Sequence, residues 1–214
     1  MAYLKHVAKI PEPERPLPPG KTEHANDRGS RIHDALELYV SHRSDYLPIE
    51  AEKHFGTHID LLRVWFADGM VSLEGEWGMS EDWEVAEWKS AWLRLKLDAC
   101  VHIGPKHAIV IDYKSGRKFG NEVKHGEQLQ LYQLVTFLRY PELEKVTAEL
   151  WYLDTGDRTT MTFTRAQGLR FKAGFQKRGE ALTSCEEFPP SANRFSCRWC
   201  PYLGSQHCDV GVNM

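Results

Sequence analysis

The sequence contains no apolar run near the roughly 20 residues needed to cross a bilayer, and its opening residues lack the pattern of a secretory leader; a cytoplasmic chain with no membrane partner is expected. Cysteine is scarce, with five among 214 residues and none before Cys100. That excludes the dense disulfide framework of a small secreted scaffold, and thiols in a reducing compartment stay reduced. Positive charge is not in surplus either, since 27 Lys and Arg face 30 Asp and Glu for a formal charge of −3. Nothing in the sum advertises nucleic acid, so the distribution of charge has to carry that argument. Internal repeats are absent, which excludes solenoids and propellers.

With 42% hydrophobic residues the chain can bury one substantial core, and a single domain over 23–214 is the economical expectation. Residues 1–22, punctuated by Pro11, Pro13, Pro16, Pro18 and Pro19, read as an extended arm. Periodicity then predicts helices at Asn26 to His42 and Thr57 to Phe66, a strand at Val71 to Trp77, and a hairpin from Leu93 to Lys114. Beyond it come a helix at Gly126 to Arg139, strands at Ala148 to Leu153 and Thr159 to Thr164, and a helix at Arg165 to Leu182. Helices before and between strands predict an α/β fold, a mixed central sheet flanked by helices.

The hairpin carries the chemistry. Leu93, Leu95, Leu97, Ala99, Val101 and Ile103 on one arm and Ile109, Ile111 and Tyr113 on the other form an apolar face by period-2 alternation. The other face gathers Arg94, Lys96, Asp98, Cys100 and His102 with Ala108, Val110, Asp112 and Lys114. A three-residue turn, Gly104-Pro105-Lys106, sets Ile103 opposite His107 and Asp98 opposite Asp112. Directly opposed like charges destabilise a sheet unless something compensates them. A hard divalent cation such as Mg²⁺ or Mn²⁺ suits two carboxylates, and Lys114 adds a fixed ammonium beside them. This is the equipment of phosphodiester hydrolysis: a metal-activated water and a cation that orients it or steadies the developing charge. The bland alternative is a surface strand with solvated acid and lysine pairs.

Asp98 followed by Asp112-Tyr113-Lys114 resembles the PD-(D/E)XK nuclease superfamily; the proline that often precedes the first aspartate is replaced by Leu97. Gln128 and Tyr132 resemble the Gln-X-X-X-Tyr motif of its RecB-like branch, and Gly29-Ser30-Arg31-Ile32-His33 the Gly-X-X-X-His helix whose histidine ligates the catalytic metal. Cys197-Arg198-Trp199-Cys200-Pro201-Tyr202 with Cys208 resembles the C-terminal segment of RecB-like and CRISPR-associated exonucleases. The resemblance implies a restriction-endonuclease-like core, with Asp98, Asp112 and Lys114 catalytic. It also implies that His33, Asp98, Asp112 and the Tyr113 backbone carbonyl bind metal, and that Gln128 and Tyr132 hold DNA or support the lysine.

Read without the family, Gln128 and Tyr132 share one helical face and could form a mere surface hydrogen bond, and His33 could be a satisfied, half-buried histidine. Glu74 and Glu76 fall on the polar face of the strand before the hairpin, as solvated edge carboxylates or with one of them behind the metal. Trp83, Trp88 and Trp92 read as packing. Between Asp45 and Trp88 acids far outnumber bases, whereas Lys114, Arg117, Lys118, Lys124 and His125 cluster after the hairpin, and Arg165, Arg170, Lys172, Lys177 and Arg178 form a second basic run. Such local patches hold phosphate backbones, although solvated helix faces also produce them.

Cys197, Cys200 and Cys208 with Cys185, or with His207 in its place, are candidate ligands for zinc or a [4Fe-4S] cluster; unmetallated thiols are the alternative. The related cluster-bearing exonucleases draw a fourth cysteine from upstream of the histidine helix, which this chain lacks. The resemblance implies a structural role for segment 185–208, pinning the tail beside the active site. The expected function is therefore a divalent-metal-dependent DNA nuclease, an exonuclease acting in recombination, repair or phage DNA processing, with a recombination or repair protein as partner. The rival is a catalytically silent DNA- or protein-binding module on the same fold. The residues carry no signal for digestion polarity, strand preference or oligomeric state.

Overall fold

The middle of the central hairpin is buried on both faces, and the architecture follows from that. The structure, a computed structural model, describes residues 4–5, 8–14, 17, 19–116, 118, 120, 122–198 and 200–211. Its contacts divide the chain into two units, Ala25–Glu180 and a smaller one made of Met1–His24 with Ala181–Met214. In the larger unit the hairpin arms are β3 (Leu93–Gly104) and β4 (His107–Lys114), where labels follow chain order. Ala99, Val101, Ile111 and Tyr113 pack against Ile32, Leu36 and Val40 of α1 (Ala25–Val40) and Ala51, Phe55, Ile59 and Leu62 of α2 (Ile49–Ala67). Cys100, Ala108 and Val110 pack on the opposite face against Leu129, Leu134, Val135 and Phe137 of α3 (Glu122–Arg139). The expected polar face of the hairpin is thus a second core, because strands covered by helices on both sides are apolar on both.

The remaining strands are β1 (Val71–Met79), β2 (Val85–Ala86), β5 (Lys145–Tyr152) and β6 (Asp157–Thr164). They form one sheet in the order β2-β1-β3-β4-β5-β6. Every pairing is antiparallel except β4 with β5, which α3 joins as a crossover. This is the mixed sheet between helical layers that the sequence predicts. The hairpin turn differs in detail: Gly104 pairs with His107, leaving Pro105-Lys106 as a two-residue turn and Ile103 as the residue in excess. The bulge absorbs one residue, so the register further along, from His102↔Ala108 to Ala99↔Ile111, is the one expected.

Two helices also differ from expectation. α2 starts at Ile49 rather than near Thr57, and the single helix expected at 165–182 is two, α4 (Arg165–Leu169) and α5 (Lys172–Thr183). Thr164 and Gln167 form a reciprocal capping box that starts α4. No described helix is long and apolar enough to cross a membrane.

Where β1 meets β3, both strands turn over. Trp77 and Met79 share the α3-side core with Leu95 and Leu97, whereas Val71 and Leu73 share the α1/α2-side core with Ala99 and Val101. Residues two apart should lie on one face, so the faces exchange between Leu73 and Trp77 and between Leu97 and Ala99. Glu74 sits at the exchange with φ of +46°, a left-handed conformation that costs a residue with a side chain about 1–3 kcal/mol. Leu73↔Ala99 and Gly75↔Leu97 are paired on either side of it, which sets Glu74 opposite Asp98.

In the smaller unit, Asn193 caps the short helix α6 (Arg194–Cys197) with its side chain. Tyr202 is fully buried there, and its hydroxyl donates to the Ile10 carbonyl at 2.8 Å.

Candidate functional site

The β3–β4 ladder ends at Ala99↔Ile111, while β4 continues beside β5 as far as Lys114↔Tyr152. Asp98 and Asp112 stand just past the last pair, where the two arms stop exchanging backbone hydrogen bonds. Asp98 fills the gap: its Oδ2 accepts the Tyr113 backbone N–H. The two aspartates are therefore neighbours across an opening rather than a cross-strand pair, and both are more than 90% buried.

From the α1 side, Ile32, Leu36 and Val40 repeat at four-residue spacing into the core, which carries the adjacent His33 to the helix flank above Asp98. His33 Nδ1 lies 2.8 Å from Asp98 Oδ1, with its ring edge-on to Tyr113 at 5.8 Å. Burial alone would lower the His33 pKa, but hydrogen bonding and charge from Asp98, with further charge from Asp112 and Glu74, raise it overall. Glu74 arrives from β1 through its left-handed backbone, while Glu76 points away and pairs with Lys96 at 3.0 Å. Burial and the Asp98 charge push the Glu74 carboxyl pKa up. One ligand atom from each of His33, Glu74 and Asp98 lies within 4.8 Å of the others, and among the described residues this is the one His, Cys and acid cluster so gathered.

Asp112 faces α3. Leu129 and Leu134 to Phe137 bury the helix, and Gln128 and Tyr132, one turn apart, reach back to the strand. Tyr132 Oη donates to Asp112 Oδ1 at 2.7 Å and Gln128 Nε2 donates to the same oxygen at 3.1 Å. Lys114 Nζ stands 2.6 Å from Asp112 Oδ2. Burial first and the Asp98 charge second raise the Asp112 pKa, against the pull of Lys114 and Tyr132. The two acids therefore feel each other, although Asp112 lies outside the 4.8 Å cluster.

An imidazole and two carboxylates at this spacing are a donor set suited to a hard or borderline divalent cation, with Asp112 adding a third carboxylate alongside. Burial first and the Asp98 charge second raise the Glu74 and Asp112 pKa values, and a cation among these carboxylates would offset both. The residues present thus fit a metal. Glu74 is the member that sequence reasoning undervalued; its acidic character on β1 was visible, its turn toward Asp98 was not.

Two of the basic residues read as phosphate contacts are engaged within the protein. Arg165 is no phosphate hand, since its guanidinium donates to the Phe137 carbonyl at 2.9 Å and over the Phe137 ring closes the C-terminus of α3. Arg178 pairs with Glu127 at 3.1 Å. Arg117 and Trp199 lie outside the described residues. Trp83 is buried and packs edge-on against Trp92 at 5.8 Å, as packing residues should. No described cysteine is in a disulfide; Cys100 and Cys197 are buried, Cys200 and Cys208 half-buried and Cys185 exposed. Cys197, Cys200 and Cys208 line a cavity of about 320 Å³, and no three thiols fall within the 4.8 Å spacing that unites the His33 cluster.

Residues 93–205, over half of the chain, match the family model of the PD-(D/E)XK nuclease superfamily. That span opens with β3 and contains Asp98, Asp112, Lys114, Gln128 and Tyr132. Among curated proteins no match is found. A solved structure titled "Crystal structure of SSO0001" is 15% identical, with 85% of this chain and 83% of that chain covered and a TM-score of 0.37.

Proposed function

This chain belongs to the PD-(D/E)XK nuclease superfamily, a superfamily of metal-dependent nucleases, and from that premise we propose that it is a Mg²⁺- or Mn²⁺-dependent DNA exonuclease of the RecB-like branch. One observation carries the reading: His33, Glu74 and Asp98 bring ligand atoms within 4.8 Å of one another, beside an Asp112 whose second oxygen is 2.6 Å from Lys114. A silent binding module has no use for that ion pair beside an acidic cluster.

A divalent ion held there would polarise the scissile phosphate and acidify a bound water. His33, Glu74, Asp98 and Asp112 would hold it, with the Tyr113 carbonyl as a further oxygen. Tyr132 and Gln128 fix the Asp112 rotamer, and the Lys114 ammonium orients the attacking water and steadies charge on the phosphate. DNA processing in recombination, repair or a phage cycle is the setting this reading implies, and cytoplasm its compartment.

The test uses end-labelled linear DNA and covalently closed circles, each with Mn²⁺ or with EDTA. Expected is degradation of linear DNA alone, and only with metal. Asp112→Asn and Lys114→Ala should each lower the rate by about a thousandfold or more, the scale on which electrostatic groups at a reacting phosphate act. Cutting of circles would replace exonuclease by endonuclease. Undiminished cleavage by the purified double mutant would end the assignment, and tight DNA binding with no cleavage would favour the silent module.

A further inference from the structure

One polar group beside Lys114 is built into the fold but absent from the chemistry above. His125 lies in the first turn of α3, and its Nδ1 stands 2.8 Å from the Tyr152 hydroxyl, with the two rings tilted at 5.6 Å. Tyr152 is fully buried and is the cross-strand partner of Lys114 in the β4–β5 ladder. Burial raises the Tyr152 pKa against a hydrogen bond with Thr159 that lowers it, so the hydroxyl keeps its proton; with Thr159 donating to the phenol oxygen, His125 Nδ1 is the acceptor left for that proton. A neutral imidazole that accepts at Nδ1 carries its own proton on Nε2. Burial first and the Lys114 charge second lower the His125 pKa, against a small opposing pull from Glu122, which favours that neutral form. Nε2 has no protein partner among the described residues and points away from Tyr152. The Lys114 charge acts on the ring and His125 stands in the first turn of an 18-residue helix, and both favour an anion.

Resting on the nuclease reading, we propose that His125 binds the DNA strand by donating from Nε2 to a phosphodiester oxygen, with the buried Tyr152 hydroxyl fixing its tautomer. This makes the site two-sided. The His33, Glu74 and Asp98 side would take the cation, and the Lys114 and His125 side would take the phosphate backbone. Histidine suits the second role because a neutral donor binds phosphate without adding a second ammonium next to Lys114, which like-charge repulsion would penalise.

The test compares wild-type full-length protein with His125→Ala and His125→Gln, measuring kcat and KM on linear DNA with Mn²⁺ and, separately, equilibrium binding to the same DNA in EDTA by fluorescence anisotropy. His125→Ala should raise KM and Kd about tenfold and leave kcat within about threefold, as loss of a ground-state contact does. Glutamine, whose amide N–H₂ reaches the Nε2 position, should recover most of that loss although it cannot reproduce the ring contact with Tyr152. A third reading does not depend on folding of a variant: the histidine ¹⁵N spectrum of wild-type protein should report the Nε2–H tautomer for His125 and a shift of that nitrogen on adding DNA. Unchanged affinity in His125→Ala, glutamine as poor as alanine, or no DNA-dependent shift while the wild type binds and cleaves, would overturn the His125 contact alone. A wild type that neither binds nor cleaves DNA would overturn the nuclease reading and this inference with it.

Discussion

At the scale of single residues, the site depends on charges held closer than they would choose. Glu74 is opposite Asp98, strained in backbone and raised in pKa by burial and by that neighbour. Glu74→Gln removes the repulsion but also a ligand. Titration calorimetry with Mn²⁺ should therefore show at least a tenfold loss of affinity, while the metal-free variant melts at a higher temperature than metal-free wild type near neutral pH. The sign follows from the direction of the shift: an acid whose folded pKa lies above its unfolded value stabilises the fold when protonated, and that contribution is lost as pH rises through the folded pKa. A variant that binds Mn²⁺ as tightly as wild type would remove Glu74 from the metal set. Tyr132→Phe probes the other acid. It leaves Asp112 Oδ1 with Gln128 alone, and loss of a hydrogen bond to a charged group should cost about 1.5–3 kcal/mol of folding stability. If Tyr132 acts by holding Asp112 in place, kcat falls with it while KM stays close to wild type.

At the scale of elements, the site needs α1 and α3 pressed onto opposite faces of the sheet, and small side chains allow it. A Cβ on Gly29 would come within 3.3 Å of Ser115 Oγ, just after the Lys114 strand, and Arg28 ties the same turn down by donating to the Ser115 carbonyl at 2.8 Å and to Asp154 at 2.7 Å. On the other face, a Cβ on Gly168 of α4 would collide with Gln133 Oε1 and with the Phe137 ring at 2.6 Å, and both neighbours belong to α3. Gly168→Ala should destabilise the fold by about 1–3 kcal/mol through overpacking, read as a lower denaturant midpoint at unchanged m-value; an unshifted midpoint would mean that α4 does not press on α3. These close approaches also separate what the sequence reveals from what it hides. The hairpin, α1 and α3 are legible because each carries a strong local period, and Asp98, Asp112, Lys114, Gln128 and Tyr132 ride on them at fixed offsets. The break between α4 and α5 is not legible, since every residue from Arg165 to Leu182 tolerates a helix and the interruption accompanies α4 packing on α3. The second apolar face of the hairpin was hidden by Lys96, Asp98 and His102, whose polarity masks the burial of Cys100, Ala108 and Val110 beneath α3. Glu74 was hidden for a related reason: alternation assigns it the same face as Glu76, and only the reversal shared by β1 and β3 turns it inward.

At the scale of the whole molecule, cysteine distinguishes the two units. Cys100 belongs to Ala25–Glu180, 1% exposed beneath α3, with burial pushing its thiol up to about 12. Cys185, Cys197, Cys200 and Cys208 all belong to the smaller unit, where Cys185 is exposed. A thiol reagent attacks the thiolate, so in metal-free native protein Cys185 should react first, Cys200 and Cys208 next, and Cys197 more slowly. Cys100 should wait for opening of the sheet and α3, and its rate then reports the unfolding equilibrium of the larger unit. Saturating Mn²⁺ at about 100 times its Kd should slow Cys100 labelling by roughly a hundredfold, the mass-action factor for a ligand that binds the folded state only, and leave the four other thiols unaffected. Zinc or an iron-sulfur cluster in the tail would have the opposite pattern, silencing those four until a chelator removes it and leaving Cys100 unchanged. Mass spectrometry of labelled peptides over time reads all five sites in one experiment. Cys100 labelling as fast as Cys185 in the native protein would contradict a sheet closed by α3, and with it the packing that holds Tyr132 against Asp112.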